Sequence, residues 1–223
     1  MECVQCRRPA IIFQRYSGRH LCEEHLCTDV EIRAKRTIRQ NHWLVKGDRI
    51  GVISGLPSSG ALVFFLEHLL ERRTDVTIVR LALPPPPMPG KSNLKTPAWY
   101  QTLSEVAKDA GVTRVAFPDS SDKVAIQVLY AIFLGDMGLL THSRGSMDIP
   151  VMLPFREIPH DELAIYAKQH GVPDEGSGIA SVGGKTLEGD IKELLIRFSS
   201  GHPSAPHALR RYADHLTLLL QHD

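Results

Sequence analysis

All four cysteines of this 223-residue chain lie within its first 27 residues. Cys3 and Cys6 form a Cys-x2-Cys pair, and after fifteen intervening residues Cys22 and His25 form a Cys-x2-His pair. Two short ligand pairs separated by a short loop are typical of a tetrahedral zinc site. Because a module of about 28 residues cannot bury much core, a metal ion would stabilise its fold directly. We therefore predict a zinc ion at these four residues.

Other interpretations of the cysteines are weaker. His20 and Cys27 are spare ligand candidates, ranked below His25. A redox pair or inert thiols are alternatives, but a redox Cys-x2-Cys normally lies near a βαβ unit, whereas this one begins the chain. A secreted domain stabilised by disulfides would spread its cysteines along the sequence. Between the two pairs, loosely alternating apolar residues and the Ser17-Gly18 turn predict a hairpin.

A basic helix is predicted directly after the cysteines. Thr28 or Asp29 can cap this helix, which extends to about Gln40. Ile32 and Ile38 indicate one buried stripe. The basic side chains that would meet a phosphate backbone are Arg33, Lys35, Arg36 and Arg39. An ordinary solvated helix surface is the equally weighted alternative.

The charge is distributed unevenly along the chain. The net charge of +1 does not by itself suggest a nucleic-acid binder. However, residues 1–49 hold ten Lys/Arg against six Asp/Glu, and the remainder holds sixteen against nineteen. Such a bias can mark a contact surface, although four surplus charges are also compatible with ordinary scatter.

From residue 49 onward, strands and helices alternate, which predicts an α/β fold with a doubly wound parallel sheet. A buried strand at residues 49–53 leads through a Gly/Ser loop into a helix at residues 61–72. Such a loop can cradle phosphate with its backbone N–H groups. Further strands are predicted at 77–83, 112–117 and 151–155, and further helices at 99–110, 124–134, 160–170, 187–199 and 206–221.

The whole chain is predicted to contain four segments. These are a zinc-knuckle module at 1–28, a basic linker helix at 29–47, the α/β domain at 48–171 and a C-terminal helical segment at 172–223. The Gly-Gly-Lys-Thr stretch at 183–186 is not a Walker A loop, because no glycine lies five residues before Gly184. No apolar stretch is long enough to span a bilayer, and the N-terminus lacks a secretory signal, which together predict a cytoplasmic protein.

The order of these pieces resembles the tRNA 2-thiolation family of PP-loop ATP pyrophosphatases over nearly the whole chain. The family's SGGxDS phosphate loop falls on residues 54–59, its GHNxDDxA signature on 118–125 and its PF strand on 153–156. The resemblance implies a PP-loop (HUP-like) fold with Cys3, Cys6, Cys22 and His25 as zinc ligands. The nucleotide-binding positions that it implies are Ser54, Gly55, Ser58, Ser59 and Asp122.

The chain departs from the family at the positions that matter for catalysis. Leu56 replaces the second loop glycine, Pro57 removes an N–H donor and Ser58 replaces the loop aspartate. Lys123 replaces one of the paired acids. The family's sulfur-transfer thiols lie in the sheet domain, whereas this chain has no cysteine after Cys27. The sequence therefore resembles a degenerate, non-catalytic partner subunit.

The function expected from this resemblance is support of tRNA binding and of a catalytic PP-loop paralogue, as a heterodimer without membrane attachment. The expected cofactor is zinc, whereas ATP binding is placed in doubt and an iron–sulfur cluster is not expected. Two alternatives stay open. One is an enzyme that retains ATP binding and adenylates tRNA, and the other is a zinc-dependent interaction module unrelated to tRNA.

Overall fold

A computed structural model of the chain describes residues 1–82, 97–136, 139, 147–173 and 186–220. The described strands are β1 (Ile12–Gln14), β2 (Arg19–Leu21), β3 (Arg49–Ile53), β4 (Thr77–Leu81), β5 (Arg114–Ala116) and β6 (Val151–Met152). The described helices are α1 (Glu23–Gln40), α2 (Ser59–Leu70), α3 (Pro97–Asp109), α4 (Ser121–Leu134), α5 (His160–Gln169), α6 (Leu187–Gly201) and α7 (Ala205–Leu220).

Strands β3 to β6 form one parallel sheet in the order β4-β3-β5-β6, which confirms the predicted fold class. The central strand β3 pairs Ile50 with Ile78 on one side and with Arg114 on the other. A Cβ atom at Gly51 would lie 2.8 Å from the Leu81 side chain and 3.0 Å from that of Val112. Glycine therefore lets this strand lie close to its neighbours.

The N-terminal module and the sheet share one hydrophobic core. The buried Cys3, Leu21 and Leu26 belong to the same cluster of side chains as Phe65 of α2 and Phe155 beyond β6. A second cluster brings α3 against the sheet, with Trp99 and Leu103 as its largest helical members. Helices α6 and α7 pack on α4. The metal knuckle is thus built onto the α/β domain.

Helix α1 begins earlier than the sequence predicts. Its N-cap is Cys22, and the helix starts at Glu23, so neither Thr28 nor Asp29 caps it. The Thr28 hydroxyl donates to the Glu24 carbonyl inside the helix, and the Asp29 carboxylate pairs with arginines. The acidic residues of the first turn interact well with the helix dipole, which explains the earlier start. Helix α1 also runs through residues 28 and 29, where the sequence predicts a segment boundary.

Hairpin β1–β2 forms as expected around Gly18, which has a φ of 69°. The side chains of Ile11 and Phe13 are about half exposed, whereas the polar Gln14 is buried. Of the Gly-Gly-Lys-Thr stretch at 183–186, the described residues include only Thr186, whose hydroxyl accepts the Gly189 N–H at the start of α6. Among the helices described, none is long and apolar enough to cross a membrane.

Candidate metal centre and nucleotide loop

The structure brings Cys3, Cys6, Cys22 and His25 together. Their ligand atoms all lie within 4.8 Å of one another. The Sγ atoms of Cys6 and Cys22 are 3.6 Å apart, and His25 Nδ1 lies 3.2 Å from Cys22 Sγ and 3.5 Å from Cys3 Sγ. With metal–sulfur bonds of about 2.3 Å, such spacings suit one tetrahedral ion at the centre. It is the one group of metal-ligand side chains found across the described residues.

Local backbone structure explains why the four side chains converge. The first pair lies on a tight turn in which Cys3 N–H donates to the Arg8 carbonyl and Arg7 N–H to the Cys3 carbonyl. Cys22 is the N-cap of α1, and His25 follows in the first turn of the helix. A Cys-x2-His pair at a helix start places both ligands on the same side, three residues apart.

The cluster favours a thiolate at Cys3. Burial raises the pKa of Cys3, but backbone N–H groups of Cys22, Gln5 and Cys6 and the Cys22 thiol outweigh it and lower the pKa to about 6. Cys27, by contrast, is buried beside Glu23 and Glu31, and its pKa is raised to about 11. Metals bind the deprotonated thiol, and the lowered pKa of Cys3 favours that form. The spare candidates His20 and Cys27 are not in the cluster.

A buried polar network fixes the hairpin onto α5. The side chain of Glu162, only 2% exposed, pairs with the Arg33 guanidinium. Glu162 also accepts hydrogen bonds from Gln14 Nε2 at 3.2 Å and from the Tyr16 hydroxyl at 2.7 Å. Asp29 completes the network at 2.9 Å from Arg33. No sequence signal could identify Glu162 in advance, because its partners lie 129 to 148 residues away.

This network corrects one predicted tRNA contact. The Arg33 guanidinium is buried between two carboxylates, so it is not available to a phosphate. Lys35 pairs with Glu31 at 2.7 Å, and the half-exposed Arg36 lies 3.5 Å from Glu157. Arg39 is exposed in the last turn of α1. The structure therefore leaves Lys35, Arg36 and Arg39 at the surface of the helix.

Polar groups of the loop between β3 and α2 form hydrogen bonds with the loop's own backbone. The Ser59 hydroxyl donates to the Ile53 carbonyl at 2.7 Å and accepts from the Leu56 N–H at 3.1 Å. Leu56 is buried in the same cluster as Trp99 and Leu103. Gly55 and Ser58 both adopt left-handed conformations, with φ of 81° and 64°. Ser58 and Ser59 are buried, and Ser54 is partly buried before the turn.

Asp122 stabilises the start of another helix. Its Oδ2 accepts the backbone N–H of His160 at 2.7 Å, at the first residue of α5. The neighbouring Lys123 pairs with Glu188 on α6 at 2.9 Å. The predicted nucleotide-binding aspartate thus makes a structural contact between α4 and α5, and the substituted lysine ties α4 to α6.

Fold and site define a PP-loop-like α/β protein with an N-terminal metal knuckle. Residues 2–27 match the family described as 2-thiouridine synthetase TtuA, N-terminal LIM domain. The tRNA 2-thiolation protein NcsA of Haloferax volcanii is 22% identical, over 94% of this chain and 84% of that protein. These findings confirm the predicted resemblance to the tRNA 2-thiolation PP-loop family.

A solved structure shares the fold. The U34-tRNA thiolase NcsA from Methanococcus maripaludis, with its [4Fe-4S] cluster, superposes with a TM-score of 0.80 at 14% identity. The superposition covers 97% of this chain and 87% of that one. The likeness thus extends over the whole α/β domain and not only over the cysteine module.

The same structure overturns the predicted cofactors. The sequence predicts zinc and argues against an iron–sulfur cluster, yet the matched thiolase carries a [4Fe-4S] cluster. Thiolates are the usual ligands of such clusters as well as of zinc. The exclusion of iron–sulfur chemistry is therefore wrong, and the donor set here, three thiols and one imidazole, marks a metal-binding cluster without naming the metal.

Proposed function

We propose that this protein acts in tRNA 2-thiolation as a subunit that does not itself transfer sulfur. One observation carries the proposal: the chain has the fold of a tRNA thiolase but no cysteine after Cys27. Sulfur delivery requires a reactive thiolate or a cluster beside the activated tRNA carbonyl. Three of the four thiols of this chain converge with His25 in the N-terminal knuckle, and the fourth, Cys27, is buried on α1.

The loop at residues 54–59 supports a non-catalytic role. A phosphate-binding loop offers free backbone N–H groups at a helix start. Here the Leu56 N–H donates to the Ser59 hydroxyl, Pro57 has no N–H, and the Leu56 side chain is buried in the cluster that contains Trp99 and Leu103. Asp122, the other nucleotide-binding candidate, is bound to the start of α5.

Exposed apolar side chains support a protein partner. On α6, Leu187, Leu194 and Phe198 are 37%, 47% and 54% exposed, and their spacing places them on one face. On α7, Tyr212 and Leu219 are 52% and 53% exposed and lie two turns apart. Exposed apolar stripes of this kind mark contact surfaces. We propose that a catalytic PP-loop paralogue binds here, in the cytoplasm, where thiols remain reduced.

Co-expression with the catalytic paralogue tests this function. We expect the two chains to co-purify at equal stoichiometry, and deletion of this protein to lower the 2-thiouridine content of cellular tRNA at least fivefold. Restoring a Phe198→Ser variant should rescue less than restoring an Ile11→Ser control, whose side chain is similarly exposed on the hairpin. Absence of co-purification together with unchanged 2-thiouridine would reject the proposal.

The metal is identified on the purified protein. Mass spectrometry for zinc and iron, together with the visible absorption of anaerobically purified protein, distinguishes a zinc ion from an iron–sulfur cluster. Because the ligand atoms suit a single ion, we expect about one equivalent of bound metal, lost when Cys22 is replaced; about four iron atoms per chain would instead indicate a [4Fe-4S] cluster. The hairpin would keep its orientation against α5 with either metal, because the side chains of Gln14 and Tyr16, and not the metal, contact Glu162.

A nucleotide-binding protein is the second candidate function. It is favoured by the left-handed backbone at Gly55 and Ser58, which brings a turn against the start of α2 at the carboxyl edge of the sheet. Titration calorimetry with ATP and magnesium decides between the two. Binding coupled to pyrophosphate release in the presence of tRNA would favour the enzyme, and binding without release would leave the proposed subunit role intact.

A further inference from the structure

A basic groove lies near the start of β3, at the end of the sheet opposite the loop at residues 54–59. It is lined by the second half of α1, by residues that lead into β3, and by the end of α2 with the turn after it. The lining side chains are Lys35, Ile38, Arg39, His42, Leu44, Leu69 and Arg73. Strand β3 begins beside the groove and ends just before the loop at 54–59. The groove and the loop therefore lie at opposite ends of this strand and are separate surfaces.

The groove combines an apolar floor with a cationic rim. Ile38 is buried and Leu44 and Leu69 are half-buried, whereas the rim carries two guanidinium groups, one ammonium group and one imidazole. No lining residue is acidic. The volume, about 420 Å³, falls within the range of sites that hold small molecules, about 300–1,000 Å³.

Arg39 differs from the other two rim cations because it has no ion-pair partner among the described residues. Lys35 pairs with Glu31, and Arg73 donates to both Asp75 oxygens at 3.0 and 2.6 Å. Arg39 makes no ion pair with any residue in the described part of the chain. Its position in the last turn of α1 suits the helix dipole, but that interaction leaves the guanidinium free to meet an anion.

The end of α1 carries a residue that its backbone does not favour. His42 N–H donates to the Arg39 carbonyl and Trp43 N–H to the Ile38 carbonyl, the pattern of a Schellman motif. This motif places residue 42 in the left-handed region, with φ of 52°, where glycine is the usual residue. The chain instead has a histidine there, and its side chain lines the groove.

We propose that this groove binds one unpaired nucleotide of an RNA strand. An apolar floor accepts the face of a base, and the Arg39 guanidinium can stack on that base or pair with an adjoining phosphate. Bases stacked in a duplex do not offer a free face, so single-stranded RNA fits better. An acidic peptide would match the rim but leave the apolar floor unused. The proposal rests on the proposed tRNA function, whose substrate it would hold at a second point.

Binding of a ten-nucleotide single-stranded RNA to the full-length protein tests the groove. Arg39→Gln should weaken binding about three- to tenfold and lower the slope of log Kd against log salt by about 0.7, the loss of one phosphate contact on a single strand. The matched control is Arg197→Gln, which removes an 80% exposed guanidinium on α6 and should change Kd less than twofold. Equal effects of the two variants, or no effect of either, would overturn the proposal.

A second variant separates binding from folding. His42→Gly relieves the left-handed backbone, so we expect a higher melting temperature together with about twofold to threefold weaker RNA binding.

A duplex of the same sequence and a polyglutamate peptide should compete poorly, and efficient competition by either would overturn the assignment to an unpaired nucleotide. If wild-type protein binds tRNA and Arg39→Gln binds it equally, the groove proposal fails while the proposed function stands. Failure of wild-type protein to bind tRNA, alone or with its paralogue, would reject both.

Discussion

Cys3 and Cys27 are both buried thiols, yet their surroundings give them opposite chemistry. The Cys3 pKa is lowered to about 6 because nearby N–H groups outweigh its burial, whereas burial and two glutamates raise that of Cys27 to about 11. These shifts favour the thiolate form of Cys3 and the neutral thiol of Cys27. Spacing along the chain predicts this difference of role, and the structure places Cys3 in the ligand cluster and Cys27 outside it.

Replacing one ligand should remove the metal. Cys22→Ser takes away the sulfur atom that contacts both Cys6 and His25, so we expect metal content to fall from about one equivalent to below one fifth. The melting temperature should fall by at least 5 °C, because the module shares its core with the sheet. Cys27→Ser should retain the metal. Loss of metal in Cys27→Ser, or its retention in Cys22→Ser, contradicts the assigned cluster.

The buried carboxylate of Glu162 should matter for stability. In Glu162→Gln the Arg33 guanidinium keeps Asp29 but loses its second carboxylate, and we expect a loss of about 2–3 kcal/mol in the free energy of unfolding. Urea denaturation measures this loss. Glu193→Gln, on the exposed side of α6, serves as the control and should change stability little. Equal stability of both variants would show that the network does not hold the hairpin.

Residue spacing predicted the metal cluster but not the polar network behind it. The four ligands lie in two short pairs, so their convergence follows from local turns. Arg33 was predicted to contact tRNA because its position on a basic helix is visible in sequence. Its partner Glu162 is 129 residues away, and only tertiary packing brings the two together. The sequence shows that position 33 is charged, but only the packing of the fold determines which groups the buried side chain contacts.

At the scale of elements, helix and strand order was predicted well, and helix starts were predicted less well. The strand at 49–53 and the helices that follow it were recognisable because each has a period matching its structure. The start of α1 was missed because a cysteine, which is an uncommon N-cap, occupies that position. The role of Asp122 was also missed, since its hydrogen bond reaches the start of α5, 38 residues later.

His207 gives the packing of α7 a dependence on pH. Burial lowers its pKa below the ordinary 6.5, and the charges of Arg210 and Arg33 lower it further, against Glu157 and Asp122. Its ring also packs 5.0 Å from that of Tyr16. As pH falls through 6.5, the unfolded chain binds this proton before the folded chain does, so stability is lost.

We therefore expect the urea midpoint to fall between pH 7.5 and pH 5.5, and to fall less in His207→Gln. His170, whose pKa is lowered chiefly by burial, shifts stability in the same direction, so some pH dependence should remain in the variant. His215→Gln, at an exposed position on α7, should keep the wild-type slope. An unchanged slope in His207→Gln would contradict the assignment.

At the scale of the whole molecule, the described residues form an α/β core with exposed apolar side chains on its C-terminal helices. We expect Phe198→Ser to weaken binding to the catalytic paralogue about tenfold without lowering stability, because the side chain is 54% exposed. Ile11→Ser, which changes a similarly exposed side chain on the hairpin, is the control. If calorimetry gives equal affinities for the Phe198→Ser variant and the wild-type protein, the paralogue binds at another surface.

The most direct measurement is in vitro thiolation of tRNA, with 2-thiouridine quantified by mass spectrometry after digestion. The reaction contains metal-loaded protein, ATP, a sulfide source and unmodified tRNA, with and without the catalytic paralogue. We expect no 2-thiouridine from this protein alone and at least fivefold more from the pair than from the paralogue alone. Formation of 2-thiouridine by this protein without the paralogue would contradict the non-catalytic role.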